Sequence, residues 1–329
     1  MKRIVYSSLF IPPEWIVAHG LVPCRIMPEK ETGGSNIPAN QGVCPFARSF
    51  ATSAMNDQTA AGMVMTTVCD QMRHVYDFIP RQHRFPSILI NIPSTWQGST
   101  SRRMYLSELN RLSRFLCDLG GMQPTDDYLA EVMLRYDTGR SFLRDVSLRL
   151  SPRQFTEIAM RFEATGQAHV AIDVDAVAST NDAISVALIG GPRRKEDLAV
   201  YKLIEACGGQ VDFDATEWGP RSLCRAFNRP RLEDEPLHEL ADAYFESIPD
   251  ITRRPNDGFY AWLTPHLHER KIRALIVQRY LWCDLWHAEV ERLRSCFELP
   301  LLDLDLDGEE PFDSARTRTR IGAFLEMLS

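Results

Sequence analysis

Short apolar runs rich in Val, Ile and Leu alternate with stretches in which apolar residues recur every three or four positions, and this alternation runs through the chain twice. Runs of the first kind read as buried strands and stretches of the second kind as amphipathic helices. In the first pass, Arg3–Leu9, Val22–Met27, Gly62–Val68 and Ser87–Ile92 are predicted strands. Pro13–His19, Phe46–Met55, Arg102–Leu119, Pro124–Arg135 and Pro152–Glu163 are predicted helices. Leu106, Leu109, Leu112, Phe115 and Leu116 make the third of these helices the clearest, since they form one apolar stripe. In the second pass, Ile184–Ile189, Val211–Asp214, Ala274–Val277 and Leu299–Leu306 are strands. Lys195–Cys207, Leu237–Phe245, Tyr260–Glu269, Asp284–Cys296 and Thr317–Leu328 are helices. Gly208-Gly209 stops the first of these.

Two rounds of strand–helix alternation predict an α/β protein with two Rossmann-like parallel-sheet domains, 1–166 and 167–329, with the seam near Ala164–His169. Ligands of such sheets bind outside the carboxyl ends of the strands. With two domains, those ends are expected to face each other across a central cleft.

Length and charge agree with this picture. The 329 residues suit about two domains, and the apolar and charged fractions are those of a globular chain. The formal net charge is −7 and no long basic run is present, so nucleic acid is not an expected partner. No stretch approaches the roughly 18 apolar residues that span a bilayer, so no membrane partner is expected either. MKRIVYSSLFIPPEW meets Pro12-Pro13 too early for the apolar segment of a signal peptide, and a cytoplasmic location is the expectation.

Eight cysteines stand at 24, 44, 69, 117, 207, 224, 283 and 296, with no CxxC pair, which argues against a disulfide framework. Most free cysteines are small buried apolar residues, and Cys24, Cys117, Cys207 and Cys296 are read that way. Three share a different context. Cys69 ends the apolar run from Gly62, Cys283 follows the run ending at Val277, and Cys44 closes a polar loop before Pro45-Phe46. Each leads into a helical stretch, where backbone N–H groups and the helix dipole favour a thiolate. Thiolate ligation suits zinc or an iron–sulfur cluster. Structural zinc normally uses four ligands with at least one close pair, which is missing here.

The segments VYSSLFIPPEWIVAHGLVPCRI, CPFARSF, GMVMTTVCDQMRHVYDF, ILINIPSTW, IEACGGQVDFDATEWGPRS, LIVQRYLWCDLW and RTRIGAFLEML, in this order, resemble the 2-hydroxyacyl-CoA dehydratase / benzoyl-CoA reductase family, and more narrowly the 2-hydroxyglutaryl-CoA dehydratase D-component. The resemblance covers nearly the whole chain. It implies a [4Fe–4S] cluster on Cys44, Cys69 and Cys283, with one iron open. It also implies a homologous second subunit, an ATP-dependent iron–sulfur activator protein and an acyl-CoA substrate. The implied chemistry is that of a lyase: one-electron reduction of the thioester to a ketyl radical, loss of the hydroxyl as water, and return of the electron, under anaerobic conditions in a heterodimer. Where the family commonly reads RYCD, this chain places Leu281-Trp282 between Tyr280 and Cys283, which leaves Cys224 or Cys296 open as the third ligand. A benzoyl-CoA reductase-type subunit, a double-cubane reductase subunit and a non-catalytic electron-transfer or scaffold subunit are the alternatives.

Two further residues are candidates for catalysis. Ser35, in the Gly33-Gly34-Ser35-Asn36 loop ahead of Cys44, is placed near substrate, and Asp70, beside Cys69, is a proton-transfer candidate that equally suits a helix cap. Arg48 and Arg73 are candidates to offset cluster charge, and Gly190-Gly191-Pro192-Arg193-Arg194 is weighed as a CoA phosphate cradle against a plain strand–helix turn. The eight histidines show no HxxH or HExxH pairing.

Overall fold

The computed structural model describes residues 2–31, 42–82, 85–147, 149–166, 183–312 and 314–329. Two four-stranded sheets, all of whose paired strands run parallel, form the frame. The first contains β1 (Arg3–Tyr6), β2 (Val22–Arg25), β3 (Ala60–Thr66) and β4 (Ser87–Ile90), in the order β2-β1-β3-β4. The second contains β5 (Ile184–Gly190), β6 (Gly209–Ala215), β7 (Ala274–Tyr280) and β8 (Leu301–Leu306), in the order β6-β5-β7-β8. The two orders are the same when counted from the first strand of each sheet. No repeat is visible in the sequence, so the duplication survives only in the topology.

Successive side chains of a strand point to opposite faces, and here both faces are covered. Ile4, Tyr6, Val64, Ile88 and Ile90 pack beneath α1 (Pro13–Ala18), α4 (Ser99–Asp118), α5 (Asp126–Val146) and α6 (Pro152–Thr165). Val5, Met63, Met65 and Leu89 pack against α2 (Pro45–Asn56) and α3 (Asp70–Gln82). In the second sheet, Val186, Leu188, Ile276 and Leu304 face α7 (Ala199–Ala206) and α12 (Ala315–Glu326). Ala187, Ile189, Leu275 and Val277 face α10 (Asp257–Glu269) and α11 (Asp284–Cys296).

The chain between the second and third strands of the second sheet leaves its own lobe. Cys224, Phe227, α8 (Arg229–Asp234) and α9 (Pro236–Ser247) join the first lobe's apolar core, where Phe245 stacks on Tyr105 with ring centroids 5.0 Å apart. A buried ionic group fixes this crossing. Arg140 of α5 donates to Glu14 of α1 at 2.5 Å, and Tyr244 of α9 donates to the other oxygen of Glu14 at 2.8 Å. The expected seam at Ala164–His169 runs into residues 167–182, which lie outside the described ones.

Two expectations from the sequence need correction. The helix expected to stop at Arg135 continues to Val146. The Asp137-Thr138-Gly139 sequence looks like a break, yet a Cβ at Gly139 would lie 2.5 Å from the Phe162 ring, so the glycine is there for the close approach of α6. Helix α6 itself starts on a capping box, Ser151 with Gln154. Helices α3 and α8 are additions to the predicted set.

Candidate active site

In each sheet the chain turns from the first strand toward the second on one side and the third on the other, and the gap between first and third is the switch point at which ligands of open α/β sheets settle. The carboxyl ends at both switch points open into one cavity. Ser7 and Ser8 after β1, Thr66 and Cys69 at and after β3, Gly191 after β5, and Gln278 with Cys283 at and after β7 all line it.

Cys44, Cys69 and Cys283 are all on its wall. Cys44 is the N-cap of α2 and Cys283 the N-cap of α11; Cys69 immediately precedes α3, with its carbonyl accepting from Arg73 N–H at 3.2 Å. Backbone N–H groups therefore point at each sulfur: Ala47 and Phe46 at Cys44, Met72 and Gln71 at Cys69, and Trp286 at Cys283. The helix ends lower the cost of a thiolate, but burial outweighs them. Burial pushes all three thiols up, with each raised further by a neighbouring thiol or carboxylate, and Cys283 reaches about 12. The sequence expectation of favoured thiolates thus holds for the local geometry and not for the balance. The thiols are neutral until a cation replaces their protons.

Cys283 reaches the cavity despite the extra Leu281-Trp282. Strand β7 runs three residues past Val277, and Cys283 N–H donates back to the Tyr280 carbonyl at 3.1 Å. Cys224 is fully buried in the first lobe's apolar core, and Cys296 is exposed at the end of α11; neither lines the cavity. Among the described residues, no group of three or more His, Cys, Asp or Glu is already spaced to hold a single metal ion.

Asp70 lies outside. Its side chain is 91% exposed and pairs with Arg73 at 3.1 Å, so nothing in the geometry supports proton transfer from it. Ser35 falls outside the described residues. Arg48 is buried between Glu31 and Glu309, tying α2 to the second lobe. Arg193 and Arg194 are also consumed internally, by Asp214 and by Asp197 with Glu196, so the strand–helix turn presents no arginine to a CoA phosphate. Gly191 instead admits Trp286, whose ring nitrogen would lie 2.8 Å from a Cβ there.

Three wall residues escape the sequence reading. Glu217, two residues beyond β6, has its carboxyl pushed up to about 7, by burial first, with Arg221 opposing and Asp250 adding to the rise. Gln278 is 4% exposed, and neither its amide oxygen nor its nitrogen has a hydrogen-bond partner. The Thr252 hydroxyl is likewise unpartnered. The strand-end reasoning that finds Cys69 applies equally to Glu217 and Gln278.

Residues 8–328 match the sequence model of the family described as 2-hydroxyglutaryl-CoA dehydratase, D-component. Over 157 residues the chain is 26% identical to a benzoyl-CoA reductase subunit of Thauera aromatica; the matched stretch covers 44% of this chain and 39% of that protein. The chain thus spans about two-fifths of the length of that relative. No helix among the described residues is long and apolar enough to cross a membrane.

Proposed function

Since the chain belongs to the 2-hydroxyglutaryl-CoA dehydratase D-component family, we propose that it is the iron–sulfur subunit of a radical 2-hydroxyacyl-CoA dehydratase, with a [4Fe–4S] cluster on Cys44, Cys69 and Cys283. One observation carries the reading: three cysteines far apart in sequence, each at the start of a helix, line one cavity at the switch points of both sheets. The donor set fits the cluster. It is all thiol, and a cluster distributes its ligands over several irons, so it does not need the tight convergence that a single ion demands.

The chemistry such a cluster supplies when bound is the loan of one electron to the substrate thioester, returned once hydroxide from one carbon and a proton from its neighbour have left as water. The chain's own residues prepare the ground for that exchange. Backbone amides at the starts of α2, α3 and α11 offset the charge on the three sulfurs. Leu9, Phe10, Ile251 and Trp286 line the cavity and exclude water from the reacting thioester. The homologous second subunit, the ATP-dependent activator and the acyl-CoA substrate enter the proposal through the family.

The relative in Thauera aromatica favours a second reading, a benzoyl-CoA reductase-type subunit. The two differ in product: an elimination yields an enoyl thioester and water with no net consumption of electrons, whereas ring reduction consumes them. The test of the primary reading is anaerobic purification with the partner subunit, followed by metal and sulfide analysis. About four irons and four sulfides on this chain are expected; stoichiometric zinc, or no iron, overturns it.

A further inference from the structure

Three thiols leave one iron of a [4Fe–4S] cluster without a protein ligand. The cavity wall holds a further donor. Among the described residues that line it, the carboxylates are Glu217 and Asp250, and no histidine is present. Asp250 is committed, because Arg221 binds one of its oxygens and the Thr252 N–H donates to the other at 2.8 Å. The Gln71 amide oxygen accepts the Cys44 N–H at 2.7 Å, and the Ser8 hydroxyl accepts the Phe10 N–H at 3.3 Å. Glu217 has no such engagement. Among the described residues nothing donates a hydrogen bond to its carboxyl, and the nearest cation, Arg25, stands with its Nη2 3.9 Å from Oε2. The side chain keeps 18% of its surface open.

The backbone fixes where this carboxyl stands. Strand β6 ends at Ala215, and the chain turns at once: Thr216 N–H donates to Asp214 Oδ1 at 2.8 Å, and Gly219 N–H donates to the Thr216 carbonyl at 3.2 Å. Arg25, at the end of β2, donates to the Glu217 carbonyl at 2.7 Å, and its guanidinium lies 4.1 Å over the Trp218 ring. The turn is therefore clamped from the first lobe. It carries the Glu217 carboxyl to the carboxyl end of β5, where a Cβ at Gly191 would lie 3.9 Å from Oε1. The carboxyl and the three thiols form one neighbourhood. Beneath the larger effect of burial, Glu217 raises both Cys69 and Cys283, and those two thiols raise Cys44. A carboxyl on a clamped turn, with no donor against it, presents unused lone pairs to the cavity.

We infer that Glu217 is the protein ligand of the fourth iron, its carboxylate taking the corner that Cys44, Cys69 and Cys283 leave open. The inference rests on the cluster reading above and alters one part of it, since the resemblance implies an iron without a protein ligand. A carboxylate is a harder donor than a thiolate and holds a cluster iron less firmly, so the corner is guarded at rest and is vacated for an incoming oxygen ligand.

Controlled oxidation of the anaerobically purified full chain tests it. Ferricyanide expels the cluster iron that lacks a protein ligand and leaves a three-iron cluster with its own paramagnetic resonance signal. Glu217→Ala and the isosteric Glu217→Gln should lose this iron at least about tenfold faster than the wild type, since even the hydrogen-bond partners of metal ligands contribute that much to metal affinity. All three proteins should carry the same iron before oxidation, and cyanide, titrated onto the reduced cluster and followed by the same resonance, should bind the two variants more tightly. Glu217→Gln decides the matter if the alanine variant misfolds. Equal rates of iron loss in the wild type and the variants overturn the inference and leave the cluster reading standing. So does a Glu217→Gln chain that arrives without iron, which assigns the residue to assembly of the cluster. A wild-type chain without iron removes the cluster reading and this inference together.

Discussion

The backbone N–H of Cys283 donates to the carbonyl of Tyr280 at 3.1 Å, closing a four-residue turn with Leu281 and Trp282 at its tip. The two residues that separate this chain from the RYCD pattern are thereby looped out, with Leu281 38% and Trp282 57% exposed. Cys283 is returned to the strand end, where it caps α11 and lines the cavity. Trp282 has φ +69°, as the third position of a type II turn requires. For a tryptophan that conformation costs about 1–2 kcal/mol.

Trp282→Gly is therefore expected to stabilise the protein, by up to about 1 kcal/mol once the greater freedom of glycine in the unfolded chain is counted. Denaturant unfolding of the two proteins side by side is the measurement. A loss of stability would mean that the indole contributes contacts that its exposure does not reveal.

The cysteines should divide into two sets. Cys44→Ser, Cys69→Ser and Cys283→Ser each remove a cavity thiol and should lower bound iron sharply. Cys224→Ser and Cys296→Ser alter thiols outside the cavity and should leave it unchanged. Iron and sulfide analysis after anaerobic purification distinguishes the sets, and full iron in any of the first three variants would strike that residue from the ligand list.

Arg140 is buried beside Glu14, and truncating one partner leaves the other charge stranded in the core. Arg140→Ala should cost about 3–5 kcal/mol. The double variant Glu14→Ala/Arg140→Ala should recover part of the loss, since the stranded charge is gone. Midpoints of denaturant unfolding for the three variants form the cycle; additive losses would show that the two residues do not interact.

His19 should make stability depend on pH. Burial holds its imidazole below the usual histidine range, with the Trp15 carbonyl only partly opposing. The unfolded chain then binds the proton more readily than the folded one, so stability is complete above about pH 6.5 and falls as the pH drops from there toward the folded value. Thermal melting at pH 7.5 and pH 5.5 should show this decline, and His19→Gln should reduce it. His266, depressed by burial and by Arg270, contributes in the same direction, so the decline should not vanish.

The frame is legible in the sequence because both faces of each sheet are covered, which turns core strands into unbroken apolar runs. The limits of that reading are equally physical. The apolar run that ends in the cavity stops at Val277 because Gln278 and Arg279 are polar; yet the strand continues to Tyr280, and the residue that breaks the apolar run lines the cavity. Helix α3 is easily overlooked, although Met72, Val75 and Ile79 are buried at helical spacing. The three cysteines can be picked out by their position at strand ends and helix starts. Asp70 shares that position with Cys69, but a one-residue step around a helix start turns a side chain to solvent. Composition also gives no means of telling a paired internal arginine such as Arg193 from one that awaits a phosphate.

The crossing of residues 224–248 onto the first lobe sets an order for folding as the chain is synthesised. The apolar surface of α1, α4 and α5 stays uncovered until α9 has been made, by which time two strands of the second sheet have already emerged. A nascent chain that stalls before Ile248 carries a sticky, half-covered first lobe, and a fragment ending at the middle of the chain inherits the same defect permanently.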